Sequence, residues 1–192
     1  MAANGRVITG FSNPYVALYS ESGGVVSYAS GQILARGVNV DLSIEAADDN
    51  NFYADNVVAE SATGMFGGGT ATLTVDGLLT AAEKLILGLP NADGDGWTAY
   101  GDAADIPYCG LGFIVRYMSD GVTTYVPVVL TKVKFKMPNL SAATQEDEID
   151  WQTQELEAVI MRDDTSDHNW KYVGAGQATE AAAATMISTK LS

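Results

Sequence analysis

Hydrophobic and polar residues alternate along much of this chain, and a period of two is typical of a β-strand that buries one face. The alternation is clearest in residues 38–45, 70–76, 131–137 and 152–160. Shorter or more uniformly apolar segments also predict strands, at 14–20, 25–29, 106–118 and 170–173, and the alternating residues 131–137 belong to one long predicted strand at 122–137. Glu, Leu and Ala in the segment 152–160 favour a helix equally well. The pattern as a whole predicts a mainly β, antiparallel domain of about eight strands with one inserted helix.

The helix is predicted directly after the strand at 70–76. Thr80, with Glu83 three residues later, fits a capping box, and Gly88 followed by Pro90 ends the segment. A short helix over about residues 80–88 follows from these signals.

Residues 46–69 show neither the two-residue period of a strand nor the 3.6-residue period of a helix. They carry acidic but no basic side chains and end in three glycines. They predict a long protruding loop or hairpin. Gly67–Gly69 indicate a hinge or the start of a strand, because neither the Lys of a phosphate-binding loop nor a helix follows them.

Length and charge narrow the class of protein. A chain of 192 residues fits one domain with extra arms. Its 24 acidic and 10 basic residues give a net charge of −14, which argues against gripping a nucleic-acid backbone. We find no secretory signal and no apolar run of membrane-spanning length, so we expect folding in a reducing cytosol and no membrane partner.

An Asp- and Gly-rich segment places oxygen ligands at calcium-loop spacing. Asn91, Asp93, Asp95, Gly96 and Asp102 occupy positions one, three, five, six and twelve of that pattern. Asn in the first position, Asp in the twelfth and the lack of an exit helix favour an Asp-Gly turn over a cation site.

Other reactive residue types lack partners in the sequence. A single cysteine, Cys109, and a single histidine, His168, exclude an internal disulfide and a His cluster. Cys109 lies in an apolar segment, where burial would raise its thiol pKa. Carboxylates that could act in pairs are interpreted as solvated turn residues: Glu146, Asp147, Glu148, Asp150, Asp163, Asp164 and Asp167. We therefore predict no catalytic residue, no metal and no cofactor.

Three lysines form one face of the strand at 131–137. Lys132, Lys134 and Lys136 would lie opposite Glu155 and Glu157 if the next strand runs antiparallel. Cross-strand ion pairs are then expected.

Five segments carry a resemblance when they are read in order: NPYVALY, VNVDLSIEAADDNNFYADN, ATLTVDGLLTAAEKLILGL, PYCGLGFIVRYMSDGVTTYVPVVLTKVKFKMP, and IDWQTQELEAVIM before WKYV. Their succession over residues 10–173 resembles the major tail proteins of long-tailed bacteriophages, the siphophages, in particular the phi13/TP901-1-like tail tube proteins. No appended immunoglobulin-like domain follows WKYV. The resemblance implies a tube domain at 1–173, and residues 174–192 form an Ala-rich arm or tail.

The resemblance implies a structural protein of the virion tail, assembled in the host bacterial cytoplasm. Its fold would be an antiparallel β-sandwich or barrel with a short flanking helix. Subunits would form hexameric rings that stack into a hollow tube, through which phage DNA passes without specific binding. Further partners would be tape measure, tail tip and tail terminator proteins.

The resemblance also implies functional roles for two surfaces. A polar sheet face would line the channel, through Asp41, Ser43, Glu45, Thr70, Thr72, Thr74, Asp76, Lys132, Lys134, Lys136, Thr153, Glu155 and Glu157. An inter-subunit loop would use Asp48, Asp49, Phe52, Tyr53, Asp55, Met65 and Phe66.

Three alternative functions stay open at this stage. One is the tube protein of a phage-like particle, such as a gene transfer agent, tail-like bacteriocin or secretion tube. Another is a monomeric β-sandwich module for binding or decoration. The third, a carboxylate-dependent hydrolase, would need two acids that converge in a cleft.

Overall fold

The computed structural model describes residues 5–48, 50–62, 64–102, 104–144 and 151–192. Within these residues the chain forms ten strands and two helices. In order, they are β1 (Val7–Ser22), β2 (Val25–Ile33), β3 (Gly37–Ala46), β4 (Asn50–Ala54), β5 (Val57–Ala62), β6 (Phe66–Val75), α1 (Thr80–Leu87), β7 (Tyr108–Ser119), β8 (Val122–Phe135), β9 (Gln154–Met161), β10 (Lys171–Val173) and α2 (Glu180–Lys190).

Eight of the strands form one antiparallel sheet in the order β2-β1-β7-β8-β9-β6-β3, with β10 paired to β8. Strands β4 and β5 form a separate hairpin. The predicted mainly β, antiparallel class is confirmed, including a strand rather than a helix in the segment of β9. The predicted inserted helix is α1, and the Ala-rich segment after β10 forms a second helix, α2.

The sheet curls so that its halves share one core, an architecture consistent with a β-sandwich. Strands β1 and β3 are far apart in the strand order, yet they contact each other in the fold. Gly37 of β3 faces Phe11 of β1, and a Cβ at Gly37 would lie 2.2 Å from the Phe11 ring. The buried core draws on β1, β6, β7, β8, β9 and α1, and the partly buried Val40 and Leu42 of β3 pack against it.

Helix α1 closes this core. Ala82, Ile86 and Leu87 are fully buried, and Gly88 ends the helix in the left-handed region at φ 63°. The predicted capping box is wrong, because Leu79 occupies the N-cap and no side chain caps the helix. Glu83 instead accepts a hydrogen bond from the Tyr100 hydroxyl at 2.8 Å.

Helix α2 packs on the outer face of the sheet. Thr179 is its N-cap, and its Oγ1 accepts a hydrogen bond from the Ala182 N–H at 3.3 Å. Ala183, Ile187 and Leu191 are buried against β1, β7 and β8. The structure thus places the Ala-rich segment at 174–192 against the domain.

The acidic segment between β3 and β6 forms the β4-β5 hairpin. Asp55 and Asn56 make its two-residue turn with φ of 51° and 63°, as in a type I′ turn. The glycines at 67–69 lie at the start of β6, where Gly68 pairs with Glu45, so of the two predicted alternatives the structure has the start of a strand. A Cβ at Gly67 would lie 2.7 Å from the Ala47 backbone nitrogen, which explains why glycine is needed there.

Candidate functional site

Polar side chains of four neighbouring strands share the side of the sheet that faces away from the core. The register places Asp41 beside Thr72, and Thr72 beside Glu157. In the next row Ser43 lies beside Thr70. The predicted channel residues brought onto this surface, which we call the polar face, are Asp41, Ser43, Glu45, Thr70, Thr72, Thr74, Lys132, Lys134, Lys136, Glu155 and Glu157. That they line a channel stays a prediction.

Two further predicted channel residues, Asp76 and Thr153, lie just beyond the ends of β6 and β9. Both line a polar cavity of about 550 Å³ at the edge of the polar face. Asp76 forms an ion pair with Arg36, and hydrogen bonds from Arg36 lower the pKa of the Asp76 carboxyl. The ion pair therefore links the loop between β2 and β3 to the C-terminal end of β6.

Lys132 and Lys134 of β8, and Lys136 directly after it, have three different environments. Lys136 forms the expected cross-strand ion pair with Glu157. Lys134 lies 5.2 Å from the centre of the Tyr108 ring. Among the described residues, Glu155 forms no ion pair with any of the three lysines. The expected pairing is therefore confirmed only at Glu157.

The third lysine, Lys132, belongs to a cluster that the sequence did not predict. Its Nζ lies 2.6 Å from Asp164 Oδ2 and 4.5 Å from the centre of the Tyr108 ring. The Tyr19 hydroxyl donates to the same carboxylate oxygen at 2.7 Å. The hydrogen bond from Lys132, followed by that from Tyr19, lowers the pKa of Asp164. Burial, and then the bond to Asp164, raises the pKa of Tyr19.

The cluster is structural in character, because each charge has a partner within it. Its members come from β1, β7, β8 and the segment after β9, so no single stretch of sequence signals it. Strand pairing brings β1, β7, β8 and β9 together, and the cluster ties them at one end of the sheet.

The hairpin β4-β5 and the residues on either side of it present five of the seven predicted inter-subunit residues to solvent. Phe52 is 64% exposed and Tyr53 is 63% exposed. Asp48, Asp55 and Met65 are exposed as well.

The other two predicted inter-subunit residues are Asp49 and Phe66. Asp49 lies outside the described residues. Phe66 is the first residue of β6 rather than part of the hairpin, and its ring stacks on Trp170 with the ring centres 4.6 Å apart. Its placement in the loop is corrected because this stacking holds it against the domain.

The calcium-like segment uses one of its carboxylates to shape a turn. Asp93 Oδ1 accepts hydrogen bonds from the N–H groups of Asp95 and Trp97, at 3.0 and 2.8 Å. This is the geometry of an Asx turn. Within the described residues, no group of three or more His, Cys, Asp and Glu side chains is arranged to hold a metal ion.

The other residues considered for catalysis lie in two places among the described residues, Cys109 in β7 and the pair Asp163 and His168 in the turn after β9. Cys109 is buried, which confirms the interpretation as a core residue, and this burial raises the pKa of its thiol to about 12. Asp163 is buried and accepts a hydrogen bond from the Thr165 hydroxyl at 2.6 Å. His168 lies in the same turn, with its Nδ1 3.3 Å from the Asp163 carbonyl oxygen. The acidic residues Glu146, Asp147, Glu148 and Asp150 lie outside the described residues.

No protein-family model matches this chain, and no curated protein matches it. Among the helices described, none has the length and apolar character needed to cross a bilayer. The functional argument therefore rests on the surfaces of the molecule.

Proposed function

We propose that this chain is the major tail tube subunit of a long-tailed phage, a structural protein whose copies form hexameric rings that stack into a hollow DNA conduit. The observation that carries this proposal is strand β3. It stands at one end of the strand order with ten residues, and neither Lys nor Pro interrupts it.

An edge strand of this kind normally carries protection against pairing with another chain. Charged side chains (above all lysine), proline, bulges, a very short length and a covering element are the usual devices. Of these, β3 has only the carboxylates of Asp41 and Glu45 and irregular pairing near its two ends. Strand β2, at the opposite end of the order, has nine residues and likewise contains neither Lys nor Pro. Two long edges at opposite ends of one sheet favour a closed ring of copies, because ring closure pairs every edge.

The polar face supports the conduit rather than another kind of ring. A channel for DNA must repel phosphate so that the duplex slides, and carboxylates and hydroxyls do this. The polar face presents threonines and carboxylates beside the lysines of β8. Two of these lysines are neutralised by Glu157 and Asp164. The net charge of −14 gives the whole subunit the same sign as DNA.

Electron microscopy tests this function most directly. The purified protein is examined in negative stain over a concentration series, together with its mass in solution. Rings or tubes with a stain-filled central channel are the expected result. A monomer at every concentration, with and without tape measure and tail tip proteins, contradicts the proposal and favours a monomeric binding module.

A further inference from the structure

An apolar groove separates helix α2 from the strand that precedes it. The chain runs along β8 as β10 and then returns as α2, which also contacts β8. The groove between β10 and α2 has a volume of about 460 Å³, within the ~300–1,000 Å³ that is usual for small-molecule sites. We call this surface the α2 groove.

The walls of the α2 groove offer apolar surface and few polar groups. Its apolar lining residues are Pro127, Val129, Val173, Met186 and Ile187. The Gly174 N–H already donates to the Pro127 carbonyl at 2.8 Å. The hydroxyl of Thr185, which also lines the groove, donates to the Ala181 carbonyl at 2.9 Å. A ligand would therefore gain affinity here mainly by burying apolar surface.

The two ends of the α2 groove differ in shape and charge. At one end a Cβ on Gly174 would lie 2.7 Å from Pro127 Cγ and 3.1 Å from Met186 Cε, so this end is narrow. Lys190 lies one helical turn further along α2, on the same face as Met186. Its Nζ is 3.8 Å from the centre of the Tyr172 ring. The groove is thus elongated, with a cation at its wider end.

The charge of Lys190 is not neutralised within the part of the chain that the structure describes, where it takes part in no ion pair. An adjoining cavity of about 360 Å³ shares Lys190 and Tyr172 and contains Asp163. Asp163 Oδ1, however, accepts hydrogen bonds from the hydroxyl and the N–H of Thr165, at 2.6 and 3.3 Å. The Tyr172 ring holds the ammonium group in place without cancelling its charge. Lys190 is therefore suited to bind an anionic head group.

We propose that the α2 groove binds a fatty acid of medium chain length. The alkyl chain lies between β10 and α2, and the carboxylate contacts Lys190. A single alkyl chain suits the elongated apolar shape, and a single carboxylate suits the one lysine that lines the groove. A nucleotide or a sugar is disfavoured, because its many polar groups would lose hydrogen bonds to water against these walls. The site belongs to the single subunit, so the proposal does not depend on whether copies form a tube.

Calorimetric titration of the purified protein with decanoate, below its micelle concentration, tests this site. We expect saturable binding of one decanoate per chain. Octanoate should bind about tenfold more weakly, because two fewer methylene groups are buried. An absence of saturable decanoate binding would overturn the proposal.

Substitutions at two exposed lining positions locate the ligand. Lys190→Gln should weaken decanoate binding about tenfold and change the binding of uncharged decanol by less than about twofold, since only the carboxylate needs the cation. Lys190→Arg should restore decanoate binding. Thr185→Trp should abolish the binding of both compounds, because the indole fills the groove. The controls are Lys84→Gln in α1 and Ala181→Trp, one turn earlier in α2 and outside the groove lining.

Circular dichroism should show the parent fold in every variant. Equal weakening of decanoate and decanol by Lys190→Gln would mean that Lys190 only supports Tyr172, and it would overturn the assignment of the carboxylate. Undiminished binding in Thr185→Trp would place the ligand elsewhere. Without decanoate binding, attachment to phosphatidylglycerol vesicles would assign the groove to a membrane lipid, and loss of self-association in Thr185→Trp would assign it to a second copy. Each of these results overturns the fatty acid site and leaves the proposed function standing.

Discussion

Asp164 illustrates how single side chains join strands that are distant in sequence. Its carboxylate accepts hydrogen bonds from Tyr19 of β1 and Lys132 of β8. Because these bonds lower its pKa in the folded state, they favour folding above the pKa of an unfolded Asp, near 3.9. The stabilisation is lost as the pH falls through the lower, folded-state pKa.

We therefore expect Asp164→Asn to lower the free energy of unfolding at pH 7 by no more than about 1 kcal/mol, since the group is partly exposed and screened by solvent. The difference from the parent protein should shrink towards pH 3. Urea unfolding at both pH values measures it, with Asp167→Asn on the exposed side of the same turn as control. An equal difference at pH 7 and pH 3 would contradict the role of the charge.

At the scale of an element, the position of helix α2 depends on residues that are distant in the sequence. Its position relies on two glycines of β7, because a Cβ at Gly112 would lie 2.2 Å from Ile187 Cγ2, and one at Gly110 would lie 2.5 Å from Leu191 Cδ2. The helix therefore sits almost in contact with the sheet backbone.

Gly112→Ala should displace α2 and lower the free energy of unfolding by about 1–3 kcal/mol, the usual cost of overpacking. For a chain of this size each kcal/mol corresponds to roughly 2–4 °C in Tm. Thermal unfolding measures the loss, and limited proteolysis should release the C-terminal segment first. Gly101→Ala is the control, because a Cβ there meets nothing within 4 Å. Equal Tm values for the two variants would refute the close packing.

At the scale of the whole molecule, the proposed assembly depends on the edge strand β3. Val38 and Ile44 of this strand are 56% and 41% exposed, so both positions tolerate a charge in the isolated subunit. Charged side chains on an edge strand oppose its pairing with another chain.

The double variant Val38→Lys and Ile44→Lys should keep the fold of the subunit, seen by circular dichroism. It should raise the critical concentration for polymerisation at least about tenfold, equivalent to about 1.4 kcal/mol. Sedimentation over a concentration series measures this change. Val122→Lys, an equally exposed apolar position at the tip of β8, is the control. Unchanged polymerisation of the double variant would remove β3 as the assembly edge.

The sequence by itself determined the strands and their two faces. The alternation in β3, β6 and the end of β8 separates buried Leu73, Val133 and Phe135 from polar neighbours, because side chains on a strand point to opposite sides in turn. Gly88 marked the end of α1 for a local reason as well, since only the left-handed conformation ends the helix there.

Only the tertiary structure decided which faces are covered and which residues meet. Phe66 stacks on Trp170, Tyr19 reaches Asp164, and Gly112 admits Ile187. Each of these contacts joins residues more than 70 positions apart in the sequence. Local patterns report backbone period and turn chemistry, whereas such contacts depend on the strand order and the curl of the sheet. The apolar cavity between α2 and strands β8 and β10 is a product of that same packing.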